Sequence, residues 1–149
     1  MTTMIERSAR GAAAGAIATV PMTAVMLAAQ RMGSLGELPP RKIARRALAA
    51  ANQEPSTTAE KATAAAAHLG FGALAGAVFG LMVGEDDDLA TGLAKGVGFG
   101  LALYALSYAG WIPALDIMPP PHRDREERQA SIAMAHVVYG AALGAISRT

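Results

Sequence analysis

The 149-residue chain contains no cysteine. That excludes disulfides, zinc ribbons, iron–sulfur clusters and thiol catalysis, and it is silent on redox compartment. Charge is scarce as well, at 17% of residues against a usual ~25%. Thirteen Lys/Arg and twelve Asp/Glu leave a formal net charge of +1. Near-neutrality excludes a strongly basic nucleic-acid binder by bulk charge. Aromatic residues make up only 5% of the chain. Its length suits one domain. The mean hydropathy of +0.29 is ambiguous, because Ala and Gly score modestly and Ala alone supplies roughly a quarter of the residues.

The placement of the missing charge resolves that ambiguity. Four windows carry no formal charge: 20 residues at 11–30, 23 at 62–84, 20 at 96–115 and 19 at 129–147. A helix rises about 1.5 Å per residue, so about 20 residues cross a ~30 Å hydrocarbon core. A soluble four-helix bundle would need a polar face recurring every 3.6 residues, and these windows have none. In 62–84 the only strongly polar side chains are Thr63 and His68. The expected fold is all-α, a polytopic membrane four-helix bundle. Arg7 and Arg10 precede an apolar run as in a signal peptide, but that run is long and lacks an Ala-x-Ala cleavage site, so it is read as a retained first span.

Positive charge marks the cytoplasmic side. Arg31, Arg41, Lys42, Arg45, Arg46 and Lys61 follow the first span, and Arg123, Arg125 and Arg128 follow the third. The other side holds Arg7, Arg10, Arg148 and, at the start of the third span, Lys95, with the acidic turn Glu85-Asp86-Asp87-Asp88. Loops 31–61 and 118–129 are therefore expected in the cytoplasm and both termini outside, with Arg7 and Arg10 weighing the other way.

The two halves resemble each other. Gly11-x3-Gly15 and Gly92-x3-Gly96 open spans one and three, each followed by a Pro pair, Pro39-Pro40 and Pro120-Pro121, at equal distance. Ala67-His68-x3-Gly72-Ala73-x2-Gly76-Ala77 matches Ala135-His136-x3-Gly140-Ala141-x2-Gly144-Ala145 at six positions. The pattern predicts tandem two-helix repeats, about 8–84 (spans 11–30 and 62–84) and about 89–149 (spans 92–112 and 130–147). Two spans per repeat make the repeats parallel, related by an axis along the membrane normal. The first half has 13 extra residues between the Pro pair and the His. There Arg41, Lys42, Arg45 and Arg46 oppose Ile43, Ala44, Ala47, Leu48 and Ala51, which predicts an amphipathic helix over about 40–52. Its basic face would meet anionic lipid headgroups, or serve only as a topology signal.

Gly72, Gly76 and Gly80 recur every four residues, as do Gly92, Gly96 and Gly100, and Gly140 and Gly144. Helices in lipid associate through close packing, so these stripes are expected to be helix–helix seams. The Gly96-x-Gly98-x-Gly100 run is not a dinucleotide fingerprint, since no strand precedes it. His68 and His136 share the seam stripes, roughly 10–12 Å inside the nearest cytoplasmic charge, and should face protein. Ionisable groups at membrane depth are functional candidates. Three roles stay open for the pair: a structural hydrogen bond to a carbonyl or Tyr across the bundle, ligation of haem or a metal ion, or a proton or ion relay. Glu37 and Asp116, shortly before the Pro motifs, are candidate additional carboxylate donors. Tyr108 and Trp111 read as interfacial anchors.

Leu38-Pro39-Pro40-Arg41 after the first span, and the later Pro-rich stretch before a His-bearing last span, resemble the YagU-like inner-membrane proteins of unknown function. The layout is similar also to other short four-helix membrane families of prokaryotes. The resemblance implies a prokaryotic inner membrane and no established activity, so no catalytic residue is carried over. YagU-like loops are longer and more aromatic.

Enzyme signals are otherwise lacking: no carboxylate lies mid-span, and no nucleophile–base motif or phosphate loop occurs. The leading expectation is a small, non-enzymatic integral membrane protein acting by packing, assembly or lipid contact, with no resident cofactor. The rivals are a transporter or channel subunit using His68 and His136, which at this size would need a homodimer, and a haem- or metal-binding membrane protein.

Overall fold

The computed structural model describes residues 3–54, 56–83 and 87–147. Gly84, Glu85, Asp86 and Arg148 of the charge pattern lie outside the described residues. Within them the chain is all-α. Helix α1 spans Met4–Arg31, α2 Pro39–Ala50, α3 Thr57–Met82, α4 Leu89–Ala114 and α5 Glu126–Ile146. All but α2 are long and apolar enough to cross a membrane.

The helices outrun the uncharged windows because charge does not end a helix; caps do. Thr3 and Glu6 form a capping box that starts α1 seven residues before Gly11. The Ser56 hydroxyl accepts from Ala59 N at 3.2 Å, and the Asp88 carboxylate accepts from Thr91 N at 2.7 Å. Pro39 and Pro40 open α2, where their missing N–H groups have no intrahelical partner to lose.

Four helices form two antiparallel hairpins, α1 with α3 and α4 with α5. Both close on glycine. A Cβ on Gly11 would strike the Gly76 carbonyl oxygen and sit 2.9 Å from Gly80 Cα; one on Gly76 would sit 2.7 Å from Gly15 Cα. In the second hairpin a Cβ on Gly96 would strike the Gly140 carbonyl oxygen and sit 2.9 Å from Gly144 Cα. Backbones this close gain Cα–H···O contacts and dense packing that a methyl group would forbid. Gly70 and Gly98, off the stripes, have nothing within 4 Å of such a Cβ.

The hairpins join along α1 and α5. The opposite side differs: α3 and α4 make few if any close backbone contacts, and Phe79 packs against Phe99 with ring centroids 5.2 Å apart. Loop 32–38 is pinned to the start of α5. Arg128 Nε donates to Leu35 O at 3.1 Å, Arg125 Nη2 donates to Ser34 O at 3.3 Å, and the Ser34 and Ser131 hydroxyls lie 3.1 Å apart. Leu35 is fully buried beneath them. At the far end Arg7 donates to the carbonyls of Leu81, at 2.8 Å, and Val83, neutralising the C-terminal end of α3.

Candidate functional site

A cavity of about 230 Å³ lies between the halves of α1, α3, α4 and α5 nearest the basic loops. Every element around it has a sequence reason to be there. On α1, Thr19, Met22 and Met26 fall at three- and four-residue spacing and present one stripe inward. On α3 and α5, His68 with Gly72 and His136 with Tyr139 do the same. Pro39, Pro40 and Ile43 place the start of α2 across one end.

The α4 wall is irregular. Ser107–Trp111 is a π-helical turn, closed by Ile112 N–H donating to Ser107 O. Pro113 follows directly. It has no N–H, and its ring would clash with the carbonyl four residues back. Widening the preceding turn by one residue relieves that clash, and such turns recur at functional sites. Ser107, Tyr108, Trp111 and Ile112 of this stretch all border the cavity.

The wall is almost wholly carbon, so its few polar atoms matter. The His136 ring is buried, and its Nδ1 lies 2.8 Å from Ile132 O. A carbonyl can only accept, so Nδ1 carries the hydrogen and Nε2 of the neutral ring is an acceptor. Tyr104 meets this ring edge-on at 5.6 Å between centroids. His68 differs: its Nε2 is shielded from solvent and has no protein hydrogen-bond partner. The Tyr139 hydroxyl, also buried in the wall, donates to Gly72 O at 2.7 Å. The bond that ties the hairpins together here is therefore made by a tyrosine, and His136 bonds within its own helix.

Two polar nodes bracket the cavity. Glu60, buried near the start of α3, receives Arg41 at 2.8 Å and Arg45 at 3.0 Å, and Arg45 also pairs with Glu37. These carboxylates hold the Arg45 guanidinium still more firmly protonated, Glu60 most of all. The second node is Asp124, which accepts from the Tyr108 hydroxyl at 2.6 Å and pairs with Arg128 at 3.0 Å. Burial raises the Asp124 carboxyl. The hydrogen bonds from Tyr108 and the Arg125 N–H, with the Arg128 cation, outweigh burial and hold it below the usual carboxylate range.

The structure brings His68 and His136 to one cavity and leaves Glu37 and Asp116 away from its wall. Glu37 serves Arg45; Asp116 sits exposed in a left-handed conformation, φ 57°, just past α4. Among the described residues no group of three or more His, Cys, Asp or Glu is placed to hold a metal ion. Of the basic set on α2, Arg41 and Arg45 turn to Glu60, while Lys42 is half-buried and Arg46 exposed. Gly72, Gly76, Gly80, Gly92, Gly96, Gly100, Gly140 and Gly144 are all buried. Tyr108 is no interfacial anchor: it is 1% exposed and committed to Asp124, and Trp111 alone keeps a partly exposed ring. Sequence reasoning missed Glu60, Tyr139 and the π-helical turn. Pro113 was the available signal for the turn, and a lone acid facing a basic helix was the signal for Glu60.

No family model, curated protein or solved structure matches this chain.

Proposed function

We propose that this chain is a small multi-pass protein of a prokaryotic inner membrane that acts by packing, assembly or lipid contact and performs no catalysis. One observation carries this reading. The outward faces of the long helices are apolar and exposed, with Val20 63%, Leu74 71%, Leu106 67% and Met134 56% accessible, while glycine lines the seams between paired helices. A surface of that kind finds its favourable solvent in a bilayer. The non-catalytic reading rests on the absence of mid-span carboxylates and nucleophile–base motifs from the sequence. Kinship with the YagU-like proteins rests on the Leu38-Pro39-Pro40-Arg41 stretch and the His-bearing last span.

The tandem-repeat reading, 8–84 and 89–149, draws support from the seams. Gly11 meets Gly76 as Gly92 meets Gly144, and Gly15 meets Gly72 as Gly96 meets Gly140. These are the pairs the internal sequence match equates. The orientation remains loops 31–61 and 118–129 in the cytoplasm with both termini outside. Arg7 bears on it, since its guanidinium serves the end of α3. Lys42 and Arg46 are the residues of α2 left for anionic headgroups.

Alkaline carbonate extraction and reporter fusions at the C-terminus test this reading. The protein should stay with the membrane pellet and report an external C-terminus. Release by carbonate overturns membrane residence; a cytoplasmic C-terminus overturns the orientation. For lipid contact, the Lys42→Ala/Arg46→Ala pair should retain less anionic lipid through purification, and equal retention removes the headgroup role.

The cavity beside both imidazoles favours a second reading, a ligand-holding protein. Haem and metal are its weaker forms. At about 230 Å³ the cavity falls below the ~300–1,000 Å³ usual for drug-sized ligands, and no carboxylate joins the His pair.

A further inference from the structure

The cavity combines an apolar wall with one polar atom that the protein leaves unsatisfied. His68 Nε2 is shielded from solvent and has no protein partner. A buried polar atom left unpaired costs about 1–3 kcal/mol. Other polar side chains of the cavity wall are bonded: His136 to Ile132, Tyr139 to Gly72 and Tyr108 to Asp124. The His68 ring borders the cavity while its Nε2 is covered, so a ligand meets that atom once the ring turns toward the open space.

That space has a definite size and entrance. An apolar cavity of about 150 Å³ accepts benzene, so about 230 Å³ accommodates one to two fused rings. The entrance is the side where α3 and α4 part. Its rim residues Phe71 and Trp111 are 44% and 36% exposed, while the inner wall of Met22, Ile132 and Tyr139 is buried. Phe79 lies eleven residues beyond His68, about 16 Å along α3, and closes the same gap against Phe99.

The hydrogen-bond chemistry selects the ligand's polar group. His136 Nε2 can only accept in the neutral ring, because Nδ1 holds the hydrogen. His68 Nε2 donates in one tautomer and accepts in the other. A hydroxyl both donates and accepts, so it satisfies His68 in either tautomer and suits His136 as well. A carbonyl satisfies a donor only, and a bare acyl chain satisfies neither ring.

We infer that this cavity is a binding site for a membrane-dissolved molecule with a compact one- or two-ring apolar body bearing a hydroxyl, a phenol or quinol type of head. The rings fill the space between Met22, Ile132 and Tyr139. The hydroxyl meets His68 Nε2 as the ring turns toward it, and any apolar tail leaves between Phe71 and Trp111. Entry from the bilayer rests on the membrane reading above; binding itself is measured in detergent and does not depend on it.

Trp111 is the single tryptophan of the chain and borders the cavity, so it reports occupancy directly. The purified full chain is titrated with 6-bromo-2-naphthol and with 2-bromonaphthalene at equal micellar mole fraction. The bromine quenches Trp111, and the two probes differ only in the hydroxyl. Saturable quenching by both is expected, with the naphthol about tenfold tighter, the equivalent of about 1.4 kcal/mol. His68→Phe should remove that preference while 2-bromonaphthalene still saturates, which shows an intact cavity. His68→Gln, which keeps a donor and an acceptor, should recover part of it. Equal affinities in the unaltered protein, or a preference that survives His68→Phe, overturn the proposal. Quenching that never saturates, like that from acyl-chain-brominated lipid, makes the slot a lipid-chain groove and overturns it too.

Discussion

The Tyr139 hydroxyl donates to the Gly72 carbonyl oxygen across 2.7 Å, from α5 to α3. It links one hairpin to the other on the side where the helix backbones stand apart, and both residues border the cavity. Buried side-chain hydrogen bonds between helices in lipid average about 0.6 kcal/mol, with a maximum of about 1.7. Tyr139→Phe keeps the ring and removes only the donor. It should lower unfolding free energy in mixed micelles by about 0.6–1.7 kcal/mol, read from an SDS titration. No change would mean that water or lipid replaces the bond at no cost.

The seams predict a contrast between neighbouring glycines. Gly96→Ala drives a Cβ into the Gly140 carbonyl, with Gly144 Cα 2.9 Å away, and neither backbone atom can turn aside. Overpacking of this kind costs about 1–3 kcal/mol. Gly98→Ala meets nothing within 4 Å and removes a helix-weakening glycine, a gain of up to about 1 kcal/mol. Thermal stability in detergent should fall for the first and hold or rise for the second. Equal effects would discount the seam.

Glu60 fastens α2 across one end of the cavity through Arg41 and Arg45. Removing one member of a buried charge cluster leaves its partners uncompensated. Glu60→Gln should free α2 and speed tryptic cleavage at residues 41–46 several-fold relative to cleavage after Lys61. An unchanged cleavage rate would show that Pro39, Ile43 and Ala44 hold the helix by packing alone.

The Asp124 node predicts a pH dependence of definite sign. Its folded-state pKa is depressed, so the ionised form binds more tightly in the folded protein than in the unfolded chain. The resulting stability is fully present above the unfolded value of about 3.9. It is lost as pH falls through the lower folded value. The groups facing it are Tyr108, Arg125 and Arg128. Thermal unfolding should show an acid slope that flattens in Asp124→Asn, a variant already less stable at pH 7. An identical slope in the variant would place the acid sensitivity elsewhere.

Much of the architecture is legible in the sequence. Four uncharged windows gave the four long helices, and the four-residue glycine spacing gave the stripes that meet in the seams. Spacing on a straight helix is enough to place a residue on a face, which is why His68 and His136 could be expected to look inward. It cannot say which face meets which. Glu37 and Asp116 lie near the Pro motifs in the chain, but neither borders the cavity in the fold. Tyr108 looked like an anchor because it ends an apolar run, but the π-helical turn before Pro113 rotates it inward.

The sequence by itself determined which segments are helical, where they stop and which stripes are small enough for close approach. Those properties are local: they follow from hydrocarbon length, caps and the 3.6-residue period. The tertiary structure alone decided that α3 and α4 part while α1 and α5 close, that Tyr139 spans the hairpins, and that an unpaired His68 Nε2 is left beside a cavity. Those depend on how the volumes of distant side chains fit together, which no window along the chain contains.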